Sequence, residues 1–404
     1  MVNTPLVFNP FVPSYKKNPY LQLDRLRAGD PVHRSDALQA WIVTRYEDVL
    51  RVMRDPETFS SDARKAGGPL ATALAEQRTN SPLGDTRSML ASDPPEHTFL
   101  RAIVNRAFTP RSVERLRPHI EALAESLLDE QPSTGEWDLV TGLAQPLPVI
   151  VIAELLGVPS EDRAQFKRWS DRIAQTTDVL QSTETIEQIR QATREIIDYF
   201  SVVIDERRRE PREDLISALV QAETEGRRLT GDEVLAFAIL LLVAGNETTT
   251  NLIGLGMRAL LANPEALATL RAEPERIPAA IEEMLRYDAP VQGVVRFVTR
   301  DTQIGERTVK AGEVIMGMTG AANRDPDQFP EPARFDIDRT DVRHLAFGQG
   351  IHYCVGAPLA RVEAAIAFRA LLARWPSIEA AGDAEIGGTF LIRGPARLPL
   401  AVAR

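Results

Sequence analysis

The chain has few of the residues from which disulfide scaffolds and metal clusters are built. One cysteine in 404 residues excludes an internal disulfide framework and any site that needs several thiolates. The five histidines, His33, His97, His119, His344 and His352, are too scattered for a zinc cluster. Basic runs are short and the formal charge is −10, which argues against nucleic acid as the main partner. Long hydrophobic runs are missing as well. The strongest, Val234 to Gly245, is twelve residues long and ends at Asn246 and Glu247, short of the roughly 20 that span a bilayer. The segment Met1 to Tyr20 is broken by Pro5, Pro10, Pro13 and Pro19 and lacks the apolar core of a signal peptide. These absences lead to the expectation of a cytoplasmic protein with no membrane partner.

What is present is an ordinary globular composition, 44% hydrophobic and 26% charged. Length alone would suggest two or three domains of roughly 150 residues. The pattern argues otherwise. Strand signals lie early, at Ala40 to Thr44, and late, at Val294 to Thr299 and Val314 to Met318. Between and after them the periodicity is helical, over Ser112 to Leu128, Pro148 to Leu156, Glu187 to Arg209, Asp214 to Glu223, Thr230 to Leu261, Pro278 to Tyr287 and Ala357 to Ala373. The expectation is a mainly α protein with minor β, its small sheets drawn from both ends of the chain. Residues 1–404 would then form a single domain. Ala63 to Leu90 and Asp171 to Thr185 lack sustained periodicity and are candidate covers over a site.

The lone cysteine sits in Phe347-Gly348-Gln349-Gly350-Ile351-His352-Tyr353-Cys354-Val355-Gly356, ahead of Ala357, Pro358 and a helical pattern. Glycines at 348 and 350 allow backbone geometries closed to other residues and a close approach to a flat ligand. Pro358 suits the first turn of a helix. Cys354 is thereby placed before a helix N-terminus, where free N–H groups favour a thiolate. An isolated cysteine is more often a small buried hydrophobe; this setting favours a ligand. A nucleophilic Cys354 with His352 as base is disfavoured, because neither an oxyanion donor nor an orienting third group is evident.

Thr230 and Glu233 form the pattern of a capping box at the start of the longest helix. That helix runs apolar to Ala244-Gly245-Asn246-Glu247-Thr248-Thr249. Acid and hydroxyl groups here are costly to bury unless they hydrogen-bond or do chemistry; threonines bonding back to the preceding turn are an equal alternative. Glu283 and Arg286, three apart on one helix face, can pair. His97 and Arg101, four apart after Asp93-Pro94-Pro95, also share a face.

Phe-Gly-x-Gly-x-His-x-Cys-x-Gly resembles the haem-binding loop of the cytochrome P450 monooxygenases, and the haem-thiolate chemistry of that family is well characterised. The resemblance implies haem b, with Cys354 as axial ligand of the iron, Phe347 beneath the porphyrin, and Gly356 admitting the next helix close to it. It makes Ala244 and Gly245 the haem-facing positions of the long helix, and Glu247 and Thr248 an acid–alcohol pair for proton delivery. His97, Arg101, Arg296 and His352 match propionate contacts. Glu283, Arg286 and the Arg334 of Pro332-Ala333-Arg334-Phe335 match a structural triad. Family architecture puts substrate near Leu90, Leu241, Val291, Val294, Val295 and Leu391, an apolar set suited to a lipophilic compound.

The implied reaction inserts one atom of dioxygen into an organic substrate, by C–H hydroxylation or epoxidation, with electrons from NAD(P)H. They would arrive through a ferredoxin (or flavodoxin) and its reductase, with the enzyme a monomer. A haem-thiolate peroxygenase is the alternative, and Glu247 with Thr248 counts against it. A haem sensor or electron carrier is a more distant one. Arg101, Arg106, Arg111, Arg115 and Arg117, against the single acid Glu114, form a basic stretch where an acidic ferredoxin could dock.

Overall fold

The computed structural model describes residues 6–79, 86, 88–174, 183–224 and 226–403. Among them the strand and helix signals of the sequence assemble into a helical body with small sheets. The largest sheet holds Val32–Ser35, Ala40–Val43, Phe59–Ser60, Val294–Val298 and Val314–Gly317. Its order is first, second, fifth, fourth, third, so the two ends of the chain interleave. Ala40–Val43 runs parallel to Val314–Gly317, and the other pairs are antiparallel. This register sets Arg296 opposite Ile315 and holds the strand that carries Arg296 between Val314–Gly317 and the edge strand Phe59–Ser60.

The helix Gly231–Leu261 forms the axis of the helical body. It starts on the expected box: Glu233 N–H donates to Thr230 Oγ1 at 3.2 Å, and Thr230 N–H to Glu233 Oε2 at 2.9 Å. Its composition would suit a bilayer, but it is mostly buried among other helices. Pro146–Leu155, Thr183–Arg209 and Ala357–Arg374 pack against it. The last of these, the cysteine helix, opens directly after Gly356 with Pro358 in its first turn. It lies on Pro110–Asp129 and Ile277–Tyr287.

Among the described residues of 63–90 is an element that the sequence pattern does not suggest. Pro69–Thr79 is a helix, built from strong helix formers that make no apolar face, so propensity rather than period sustains it. In the second candidate cover, helix Arg163–Ala174 reaches into the run and Thr183–Arg209 begins at its end. Residues 175–182, and 80–85 with Arg87 in the first cover, lie outside the described residues.

The expected triad needs one correction. Glu283 and Arg286 are buried and bidentate, with Nε to Oε2 at 2.6 Å and Nη2 to Oε1 at 2.7 Å. Arg286 also donates to the carbonyls of Asn323, Pro332 and Arg334 at 2.9–3.0 Å. Arg334 takes part only through that carbonyl. Its N–H closes a turn onto Glu331 at 3.0 Å, which turns the side chain out to solvent beside Glu331. The triad's second guanidinium is that of Arg339, with Nε 3.3 Å from Glu283 Oε2 and Nη1 donating to Pro330 at 2.9 Å. Breaking a buried pair costs several kcal/mol, whereas exposed pairs contribute little. Arg339→Ala should therefore lower unfolding stability by about 2–3 kcal/mol, since Arg286 still neutralises Glu283, and Arg334→Ala by less than about 0.5 kcal/mol. Equal losses in urea denaturation would contradict the assignment.

Candidate active site

The cysteine loop owes its path to two left-handed glycines, Gly348 at φ 71° and Gly350 at φ 69°. A Cβ on Gly350 would stand 2.7 Å from the Met53 carbonyl oxygen. The loop closes on itself where Cys354 N–H donates to the Phe347 carbonyl at 2.8 Å. Burial pushes the Cys354 thiol up, against the pull of Gly356 N–H, Arg101, Ala357 N–H and Arg361. The helix-start N–H groups thus act in the expected direction, but burial outweighs them in the protein alone. Cys354 keeps partial exposure because it borders a cavity.

That cavity brings together most of the residues singled out in the sequence. Phe347, Cys354 and Gly356 line one wall. On the facing wall, Phe237, Leu241, Ala244, Gly245 and Thr248 of the long helix recur at spacings of four and three, one helical face. Ala244 is exposed into the space. Gly245 also serves a second purpose, since a Cβ there would lie 2.9 Å from Ile152 Cδ1 on the neighbouring helix. Thr248 and Thr249 bond back to the carbonyls of Ala244 and Gly245 at 2.7 and 3.2 Å, so the bland reading of these hydroxyls also holds. Glu247 is absent from the lining. Its Oε2 is buried without a partner, and burial pushes the carboxyl up to about 7.

Of the six expected substrate positions, Leu90, Leu241, Val291 and Val294 line the cavity. Val295 and Leu391 do not. Strand alternation turns Val295 to the opposite face from Val294, into the cluster that holds Phe297. Leu391 packs in that same cluster, behind Gly293. Sequence reasoning missed Phe237, Leu240, Phe108 and Glu363. The first two continue the helical face of Leu241 and Ala244, a periodicity that could have found them. Glu363 likewise continues the face of Gly356, Leu359 and Ala360 on the cysteine helix, whereas Phe108 carries no comparable local signal.

One rim of the cavity is polar, with its positive charge on Arg101 and Arg296 and two imidazoles that burial keeps neutral. His97, Arg101 and His352 line it, and Arg296 stands just behind at 9% exposure. The His97 and His352 rings are 4.4 Å apart. His352 shares a 2.9 Å hydrogen bond with Ser61 Oγ. Burial, with Arg296 and His97 next in effect, holds His352 down at about 3. Burial and Arg101 also lower His97, whose Nε2 is buried and unpartnered. Arg296 is lowered to about 10 by burial, with Asp93 opposing. Asp93 is the acid felt by these groups, and it already receives Ser60 Oγ, Ser61 N–H and Lys65 at 2.5–3.1 Å. A buried guanidinium and an orphaned imidazole nitrogen at an apolar cavity edge fit a flat apolar ligand that bears carboxylates. Two propionates on a porphyrin meet that requirement, and Cys354 on the wall fits its iron. Among the described residues, no cluster of three or more metal-ligating side chains offers another metal site.

The fold and this cavity define a haem-thiolate protein. The cytochrome P450 family model matches residues 39–378. The chain is 39% identical to the polyketide biosynthesis cytochrome P450 PksS of Bacillus subtilis, over 99% of both chains. It is 43% identical to the cytochrome P450 monooxygenase PikC of Streptomyces venezuelae, over 96% of this chain and 91% of that one. The solved structure of PksS superposes with a TM-score of 0.90, covering 98% and 100% of the two chains. That of CYP109E1 from Bacillus megaterium with testosterone gives 0.84 at 37% identity, covering 95% and 99%. The chain belongs to the cytochrome P450 family. Its reaction class is that of the family's monooxygenases, with haem b as cofactor and NAD(P)H as the electron source.

Proposed function

We propose that residues 1–404 act as one monomeric, cytoplasmic haem-binding unit that oxygenates a neutral lipophilic compound at a C–H or C=C bond. The observation that carries this reading is one cavity with Cys354 on one wall and Ala244 and Thr248 on the other. Cys354 would hold the iron, with Phe347 and Gly356 beside it and Ala244 and Gly245 opposite. His97, Arg101, Arg296 and His352 would take the propionates. When bound, the haem supplies the redox chemistry that activates dioxygen.

The protein's own residues supply the rest. Leu90, Phe237, Leu241, Val291 and Val294 give the substrate an apolar seat and keep water from the reacting centre. PksS acts in polyketide biosynthesis and CYP109E1 binds testosterone; substrates of comparable bulk and low polarity suit this lining. Thr248 spends its hydroxyl hydrogen on the Ala244 carbonyl, which leaves its lone pairs to accept a hydrogen bond from the cavity. Glu247 is the neighbouring proton store. With its carboxyl near 7, it is partly protonated at neutral pH and can release a proton after rotating toward Thr248.

Electrons would come from a ferredoxin or flavodoxin and its reductase. Arg106, Arg111 and Arg115 are exposed, and Arg101 Nη1 donates to the Tyr353 carbonyl at 2.7 Å, which ties this basic stretch to the sulfur side. Such a face suits a small acidic iron–sulfur partner. Ferredoxin-supported turnover should therefore fall steeply with added salt, and more weakly in Arg111→Glu; identical salt profiles would contradict the docking face.

The relay has a pH signature. The Glu247 carboxyl is raised in the folded protein, so its proton-bearing form prevails below about 7 and is lost as pH rises through that value. Coupled turnover should decline across that window. Glu247→Gln should remove this limb and slow turnover roughly 10–100-fold. Thr248→Ala should keep electron consumption while diverting it to hydrogen peroxide. Unchanged coupling in Thr248→Ala, with an unchanged pH limb in Glu247→Gln, would contradict the relay.

A further inference from the structure

The sulfur loop is braced from its outer side by a network that none of the motifs contains. Arg361 stands on the cysteine helix, two turns beyond Cys354. It forms a bidentate pair with Glu282, Nε to Oε1 at 2.7 Å and Nη2 to Oε2 at 2.9 Å. Glu282 precedes the triad's Glu283 on helix Ile277–Tyr287 but faces this different partner. His344 Nε2 lies 3.2 Å from Glu282 Oε2, and His344 Nδ1 accepts the Ala346 N–H at 3.1 Å. A ring nitrogen that accepts a backbone N–H carries no hydrogen, so the hydrogen is on Nε2, which donates to Glu282.

The network reaches the ligand residue through an aromatic ring. The Arg361 guanidinium carbon is 4.5 Å from the centroid of Phe347, within cation–π range. His344 and Tyr353 flank the same ring at 5.8 and 6.5 Å. The Phe347 carbonyl in turn accepts the Cys354 N–H. Arg361 and His344 hold Glu282 ionised against its burial. A fixed cation therefore stands against the Phe347 ring, with a fixed anion behind it, in an order set by two helices.

We propose that Glu282 and Arg361 are positioning residues for the thiolate. The pair clamps the Phe347 ring that carries the loop, and its two charges tune the sulfur from outside with opposite signs. This rests on Cys354 being the iron ligand. Removing the cation should lower the haem reduction potential, because the reduced centre loses a stabilising charge; removing the anion should raise it. A purely structural brace would not shift the potential in opposite directions.

The test uses the haem-loaded full chain and the variants Glu282→Gln, Arg361→Gln and Arg361→Lys. It follows the lifetime of the red-shifted Soret band of the reduced carbon monoxide complex, together with the reduction potential. Both glutamine variants should lose the band roughly threefold faster or more. Their potentials should move in opposite directions. Arg361→Lys keeps the charge but not the planar fork, so it should hold the potential yet lose the band faster, and with Glu282→Gln it keeps the test decisive if Arg361→Gln misfolds. Band lifetimes within about twofold of the unaltered protein, well inside the effect of one lost cation–π contact, would overturn the clamp. Potentials shifted in the same direction would overturn the tuning. Absence of the band from the unaltered protein would instead overturn the ligand reading beneath both.

Discussion

A raised, neutral thiol and the guanidiniums of Arg101 and Arg296 stand at the same apolar space, beside two imidazoles that burial keeps neutral. Burial raises the thiol of Cys354, while Arg296 and His97 lie at the rim with Asp93 already engaged by Ser60, Ser61 and Lys65. Uncompensated charge in a low-dielectric site is costly unless a partner arrives. A porphyrin iron for the sulfur and two carboxylates for the rim would balance both sides at once. The fold holds these mismatched groups in place because each sits on a different rigid element: Cys354 at a helix start, Arg296 on an inner strand, and His97 and Arg101 on helix Glu96–Ala107.

The long helix manages a second tension, between a dry wall and the need to move protons. Its apolar face would give the substrate a seat, and one turn of acid and hydroxyl groups interrupts that face. Thr248 and Thr249 are satisfied by the carbonyls behind them, which keeps the helix continuous while leaving oxygen lone pairs available. Glu247 has no such partner, and its raised carboxyl reflects that. The same turn thus contains two hydroxyls satisfied by the helix and one buried carboxyl oxygen without a partner, an arrangement suited to the proposed proton relay in a dry site.

Much of this could be read from sequence because the chemistry depends on short, fixed spacings. The glycines, the cysteine and the helix start fall within ten residues, and the capping box, His97 with Arg101, and Glu283 with Arg286 are all neighbours by helical geometry. The misreadings share a cause: they depended on which way a side chain turns after a bend. Arg334 and Arg339 stand five apart in one irregular segment, and only the turn at Glu331 decides that Arg339 meets Glu283. Val295 was one residue off the cavity face. The Glu282–Arg361 pair is formed by packing between helices distant in sequence, which no local pattern encodes. Helix Pro69–Thr79 escaped notice because it shows propensity without an apolar face.

The ligand assignment is the claim that everything else depends on, and one spectrum tests it. The reduced carbon monoxide complex of the haem-loaded protein should show the far red-shifted Soret band of thiolate ligation. In Cys354→His, with haem still bound, that band should move to the position typical of an imidazole-ligated haem. A red-shifted band that persists in Cys354→His would contradict the account at its centre.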